Sequence, residues 1–152
     1  MSTLFESVVQ YFTKEEWYYL KMDGRPTLQM NFNGKNGKWI CYANVNEEKG
    51  FFCFYSVCPV NVPEDRYPVV AEFITRANYG MFIGNFEMDY RDGEVRYKTS
   101  IDVENTQIND SLLENLVNPN LLMMDRYLPG ILQCVYGQVS AETAIQSIEG
   151  EE

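Results

Sequence analysis

Histidine is absent from this sequence, and lysine and arginine together number 12 against 22 acids, for a net charge of -10 over 152 residues. Without an imidazole, and without a Gly-x-Ser-x-Gly segment, the usual nucleophilic triads have no base. A phosphate backbone would be repelled by the acidic surface rather than drawn in, so nucleic acid is not expected as a partner. The cysteines Cys41, Cys53, Cys58 and Cys134 form no Cys-x-x-Cys pair. With no histidine to complete a mixed site they read as reduced core thiols, and no metal or other cofactor is expected. No apolar run approaches the roughly 20 residues of a bilayer span. The segment Met1 to Glu16 carries Glu6 and Lys14 within a helical apolar pattern, unlike a signal peptide or an anchor. The chain is therefore expected in the cytoplasm, away from membranes. Internal repeats and low-complexity linkers are missing too, and a chain of this length buries roughly 70 % of its unfolded surface in one core. One domain is expected over residues 1–149, followed by a frayed acidic tail at 150–152.

The clearest pattern lies between Arg76 and Val103. Phe82, Gly84, Phe86, Met88 and Tyr90 alternate with Ile83, Asn85, Glu87 and Asp89, and Val95, Tyr97, Thr99, Ile101 and Val103 alternate with Glu94, Arg96, Lys98, Ser100 and Asp102. A period of two means strands. Asp92-Gly93 between them tolerates the positive φ of a tight hairpin. Centred on that dipeptide, Arg91 faces Glu94, Asp89 faces Arg96 and Glu87 faces Lys98, while Tyr90 meets Val95 and Met88 meets Tyr97.

Upstream, Leu4, Phe5, Val8, Val9, Tyr11 and Phe12 recur at helical spacing after Ser2 and Thr3, which predicts a helix ending near Trp17 to Leu20. Leu28, Met30 and Phe32 begin a strand. The cluster Asn33 to Gly37 turns it into Trp39 to Val45, and Asn46 to Gly50 turns that into Phe51 to Val57, a run apolar on both faces and so expected to be covered on both. A second helix is predicted over Glu64 to Tyr79, with Gly80 as its stop. Downstream, helix is predicted from Asp110 to Val117, with Pro119 and Pro129 dividing or kinking the stretch that follows, and a last short helix from Ser140. The fold class is α+β: a five-stranded, mostly antiparallel sheet with flanking helices, in the order α-β-β-β-α-β-β-α.

Several features carry a resemblance. They are Arg76-Ala77-Asn78 and the glycine after it, the Gly84 to Tyr90 strand, the Asp92-Gly93 turn, Arg96-Tyr97, and the spacing of Asp125, Pro129 and Gly137. In them the segment Val69 to Gly137 resembles the YbjN-domain family, which shares the fold of type III secretion system chaperones. The resemblance implies a helix-flanked sheet, a homodimer and the binding of other proteins. None of its motifs is a catalytic signature, and a shared fold does not by itself transfer a function.

Other motifs have plainer explanations. Gly34-Lys35-Asn36-Gly37-Lys38 lacks the Ser or Thr and the helix of a phosphate loop, and reads as a solvated hairpin turn. Glu87, Asp89, Asp92, Glu94 and Asp102 have the chemistry to hold magnesium or to serve as acid and base, yet cross-strand Arg and Lys account for them. Arg76 and Asn78 are read as capping a helix end. The remaining surplus is aromatic. Pairing Asn33 with Lys38 puts Leu28, Met30, Phe32, Trp39, Cys41 and Ala43 on one face and leaves Ile40 and Tyr42 on the other, joined by Phe52 and Phe54 or by Phe51 and Tyr55. Either a helix covers this second face as well, or the helices cover only the first face and the second is an apolar patch of the kind that marks a protein contact. The partner-binding candidates are therefore Ile40, Tyr42, Phe52 and Phe54 on the sheet, with Val70, Phe73 and Ile74 on the second helix. The function expected is a non-enzymatic dimeric module binding a protein client or regulatory partner. The alternatives are a carrier for a small apolar ligand, which needs an enclosed aromatic pocket, and a metal-dependent enzyme, which needs unpaired carboxylates converging in a cleft.

Overall fold

A computed structural model of the chain, which describes residues 2–150, contains four α-helices and one antiparallel sheet. The first helix, α1 (Leu4–Lys14), starts on a capping box in which Thr3 and Glu6 exchange side-chain and backbone bonds. It stops earlier than the sequence predicts. Glu16 takes φ 61, and the Glu16 and Trp17 amides return to Thr13 and Phe12, which is a Schellman closure with glutamate where glycine is usual. The residues freed by that stop form β1 (Tyr19–Lys21), a strand the sequence reading missed, so the sheet has six strands rather than five.

The strands β2 (Thr27–Asn33), β3 (Lys38–Asn46) and β4 (Phe51–Val57) follow as a meander. A short 3-10 turn leads into α2 (Tyr67–Asn78), then β5 (Asn85–Asp89), β6 (Glu94–Asp102), α3 (Asp110–Tyr136) and α4 (Ala141–Glu149). Spatial order in the sheet is β1-β2-β3-β4-β6-β5. Gly150 closes α4 by donating its amide to Gln146. The rest of the expected acidic tail, Glu151 and Glu152, lies outside the described residues.

The expected pairing of Asn33 with Lys38 is present. The β5–β6 register differs by two residues from the tight-turn expectation, with Glu87 opposite Arg96, Met88 opposite Val95 and Asp89 opposite Glu94. Tyr90 to Gly93 make a four-residue loop in which Gly93 has φ 77 and donates to the Asp89 carbonyl. A neighbouring loop sets this arrangement. Val62 donates to the Gly93 carbonyl at 2.8 Å and Cys58 to that of Val95 at 2.8 Å, so the end of the hairpin is held from outside. An even shift leaves every side chain on its intended face.

A single 27-residue helix replaces the expected break in α3, despite Pro119 and Pro129 inside it. A proline deprives the carbonyl four residues back of its donor. For Pro129 that carbonyl belongs to Asp125, and Asn36 supplies the missing donor at 2.9 Å. The Asp125 carboxylate in turn accepts the amides of Lys35 and Asn36 at 3.1 and 2.8 Å. The turn read as solvated is thus docked on the helix, and the spacing of Asp125 and Pro129 has a structural role.

All of the helix-to-sheet packing uses one face. Phe12 of α1 stacks on Phe54 at 6.0 Å, Tyr127 of α3 meets Phe86 edge-on at 5.7 Å, and Phe73 of α2 meets Tyr127 at 6.2 Å. Helix α4 rests on α2 and α3 rather than on the sheet. Asn120 of α3, fully buried, donates to Phe54 O, Tyr97 O and Thr99 Oγ1 and so ties the helix to β4 and β6.

Candidate functional site

The opposite face of the sheet carries the candidate site. Cross-strand pairs set its rows: Gln29, Tyr42, Tyr55 and Lys98 lie side by side, and Asn31, Ile40, Val57 and Arg96 form the next row. Their core-side neighbours Cys41, Ala43, Phe54 and Tyr97 are buried, whereas Ile40 and Phe51 are each 38 % exposed. Tyr42, Cys53, Tyr55 and Val57 are half-buried. The double-sided apolar pattern of β4 therefore does not mean cover on both sides. One side is core and the other is a strip of aromatic and aliphatic groups down the middle of an open face.

Polar residues frame that strip. Arg96 lies over the Tyr55 ring at 4.1 Å and donates to Glu87 at 2.6 Å, and Lys98 reaches the same carboxylate at 3.3 Å. Burial opposes ionisation of Glu87, but hydrogen bonds and charge from Arg96 and Lys98 outweigh it and hold the carboxyl below the ordinary glutamate value. Asp89 is hydrogen-bonded by the Arg91 guanidinium and amide, which lower its pKa to about 2. Burial pushes the Tyr55 phenol up to about 12, so it stays a neutral donor at physiological pH. Near Tyr42 and Tyr55, Arg25, Pro26 and Asn44 help to shape an open hollow of about 390 Å³. It is a depression in the face, open to solvent, and not the enclosed aromatic pocket a carrier needs.

The seven sequence-derived positions split. Ile40 and Tyr42 stand on the open face as expected. Phe52 and Phe54 point to the core because Asn46 pairs with Phe51, which puts them opposite Val45 and Ala43. Val70, Phe73 and Ile74 are buried too, since α3, α4 and β5 cover the apolar side of α2. The residues that take their place beside Ile40 and Tyr42 are Phe51, Cys53, Tyr55 and Val57. Cys53 is the one thiol that leaves the core. Burial drives the Cys41, Cys58 and Cys134 thiols up to about 12, 11 and 11 and keeps them unreactive.

Arg76 does not cap the helix end; it pairs with Glu72 one turn back at 2.7 Å. Asn78 does act on the backbone. Its amide accepts from Phe86 N at 2.7 Å and donates to Phe86 O at 3.0 Å, matching one residue of the outer sheet edge as another strand would. Among the described residues, no group of three or more Cys, Asp or Glu converges in a way that could hold a metal ion. Among the same residues no helix is long and apolar enough to cross a membrane.

A helix-flanked antiparallel sheet of this order is a known protein class. The chain is similar to the crystal structure of YbjN, "a putative transcription regulator from E. coli", with a TM-score of 0.58 and 9 % identity over 80 % of this chain and 85 % of that one. It is also similar to a chain of the ExsC–ExsE complex (TM-score 0.54, 14 % identity, 78 % and 84 % covered). A chain of the HopA1–SchA chaperone–effector complex is similar as well (TM-score 0.52, 17 % identity, 83 % and 94 % covered). At these identities the likeness is one of fold. No curated protein matches the sequence. The family model described as "YbjN: Putative bacterial sensory transduction regulator" matches residues 7–133, and the chain belongs to that family.

Proposed function

We propose that this protein is a homodimeric interaction module of the cytoplasm, chaperone-like or regulatory, which holds a protein partner against the helix-free face of its sheet. The observation that carries the reading is the open strip of Ile40, Tyr42, Tyr55 and Val57, apolar at its centre and polar at its rim. Protein contacts are built in that way. Charge favours the same face. On a chain of net charge -10, this surface sets Lys38, Arg96 and Lys98 among Glu87, Glu94 and Asp102, so a partner meets no single-sign field there. The acidic remainder makes regulation through a protein contact a better fit than regulation through DNA. The likeness to chains from a chaperone–effector complex and from ExsC–ExsE supports a protein as the bound species.

The test is affinity purification from the native cytosol followed by mass spectrometry, comparing wild type with Tyr42→Glu. A charge in the middle of the strip is expected to reduce partner recovery at least tenfold while circular dichroism stays unchanged, because the residue contributes nothing to the core. Equal recovery by the two proteins would remove the sheet face from the account.

A further inference from the structure

Arg25 has no partner in the fold. It sits exposed in the turn between β1 and β2, and among the described residues its guanidinium forms no hydrogen bond or ion pair. It nevertheless lines the open hollow of about 390 Å³ together with Arg96, which belongs to β6, three strands away from β2. Arg96 is only partly committed. Its Nε donates to Glu87 on β5 while the guanidinium carbon lies over the Tyr55 ring on β4, so the group reaches across β6 and out over the strip. Among the described residues its terminal nitrogens donate to nothing. Asn44, at the same hollow, accepts from Thr27 Oγ1 at 3.0 Å, which leaves its amide nitrogen without an acceptor. The groups that meet here are therefore mostly donors, and the one acid among them is Glu94.

Val57 also lines a second open hollow, of about 460 Å³, which has Ile40 and Pro59 as apolar walls and includes Lys38. Across the two hollows three bases, Arg25, Lys38 and Arg96, stand against a single acid. The whole chain has the opposite balance, 12 bases to 22 acids. Charge on the face as a whole is mixed, but Glu87 is taken up by Arg96 and Lys98, and the hollows keep the unpaired cations.

We infer that the segment held on this face is an extended, acidic stretch of the partner protein, with a carboxylate between Arg25 and Arg96 and an apolar side chain two positions along, against Ile40 and Val57. The inference rests on the proposed function and deepens it by naming the chemistry of the partner. Guanidinium groups present forked donors that match a carboxylate, and such charge-assisted bonds are the strong ones. Spacing supports a peptide rather than a small anion. Tyr42 and Tyr55 border the first hollow and Ile40 and Val57 the second, two residues along β3 and β4. Alternate side chains of an extended peptide fall about 6.6 Å apart on one side, the same step. Acids elsewhere on the protein do not forbid an acidic partner, because exposed charges are screened beyond about 8 Å at physiological ionic strength while the two guanidiniums act at contact.

A phage-displayed library of random peptides, selected on the whole protein, tests the inference, with the enriched peptides resynthesised and titrated by fluorescence anisotropy. The expected peptides carry Asp or Glu two positions from Leu, Ile, Val or Phe. Replacing that acid by its amide is expected to weaken binding at least tenfold, as loss of a charge-assisted bond does. Arg25→Glu is expected to weaken the same peptides at least tenfold with circular dichroism unchanged, since Arg25 holds nothing in the fold, and Arg25→Lys to keep the preference for acid over amide. Peptides that bind equally well as amides, or equally well to Arg25→Glu, overturn the inference. If those peptides still lose affinity for Tyr42→Glu, the sheet face remains the partner site; if they do not, both readings fall. A library that enriches nothing overturns it, as does inorganic phosphate that displaces the peptides at the concentration at which the free peptide does.

Discussion

Replacing Gly93 with Val is expected to cost about 3 kcal/mol or more, lowering the melting temperature by roughly 6 to 12 °C for a chain of this size. Two effects combine. Gly93 has φ 77, a left-handed conformation in which a β-branched residue is strained. A Cβ there would also lie 2.1 Å from the Val62 carbonyl oxygen and 2.9 Å from the Val62 nitrogen. Both are backbone atoms held by the bond from Val62 N to Gly93 O, so neither can swing aside. Gly50 provides the comparison. It has φ 75, but its Cβ would meet nothing nearer than Glu104 at 3.1 Å, so Gly50→Val is expected to carry the backbone strain with a far milder contact. Equal melting temperatures for the two variants would contradict the docking of the hairpin loop on Val62.

Asn120→Asp is expected to make stability depend steeply on pH. The Asn120 amide nitrogen donates to Phe54 O and Tyr97 O at 2.9 and 3.1 Å, and its own Oδ1 is buried without a partner. A carboxylate there would direct negative charge at two carbonyl oxygens in the core. Its pKa in the folded protein should rise about 3 units above the unfolded value of about 3.9, equivalent to about 4 kcal/mol at neutral pH. The sign follows from linkage: a raised folded pKa leaves stability intact below the unfolded pKa and removes it as pH rises toward the folded one. Glu87, with its lowered pKa, behaves oppositely and loses its contribution as pH falls, in both proteins alike. The quantity to measure is therefore the difference between variant and wild type in chemical denaturation. It should be smallest near pH 4 and grow toward pH 7. A difference that does not change with pH would mean that residue 120 is not buried against those carbonyls.

The sequence is most legible where alternation and a buried face agree. The β2–β3 register follows from pairing Asn33 with Lys38 across the turn cluster between two apolar runs, and with it the outward placement of Ile40 and Tyr42. The β3–β4 and β5–β6 connections are harder: Asn46 to Gly50 reads as a turn that leaves two registers open, and Asp92-Gly93 reads as a two-residue turn. Both are four-residue loops ending in a positive-φ glycine, Glu47 to Gly50 and Tyr90 to Gly93, and in both the glycine amide donates to the residue before the loop. Taking the glycine as the last residue of a four-residue loop in each case gives both observed registers and places Tyr55 and Val57 on the open face. The missing strand β1 was hidden because Glu16 occupies the left-handed position that glycine usually marks. The continuity of α3 through Pro129 depends on Asn36, 89 positions from Asp125, which no local pattern reveals. Phe82 fits a strand pattern, and positive φ at Gly80 and Gly84, with Gly84 packed close to Lys98, turns it away from the sheet.

The central claim, that the helix-free face holds the partner, is tested most directly by photocrosslinking in living cells that make the protein. A benzoyl-phenylalanine replaces Tyr42 in one protein and the exposed Glu142 of α4 in another. The expected result is an adduct with a second, different protein from position 42 and none from position 142. An adduct from position 142 with none from position 42 would place the partner on the helices and contradict the account.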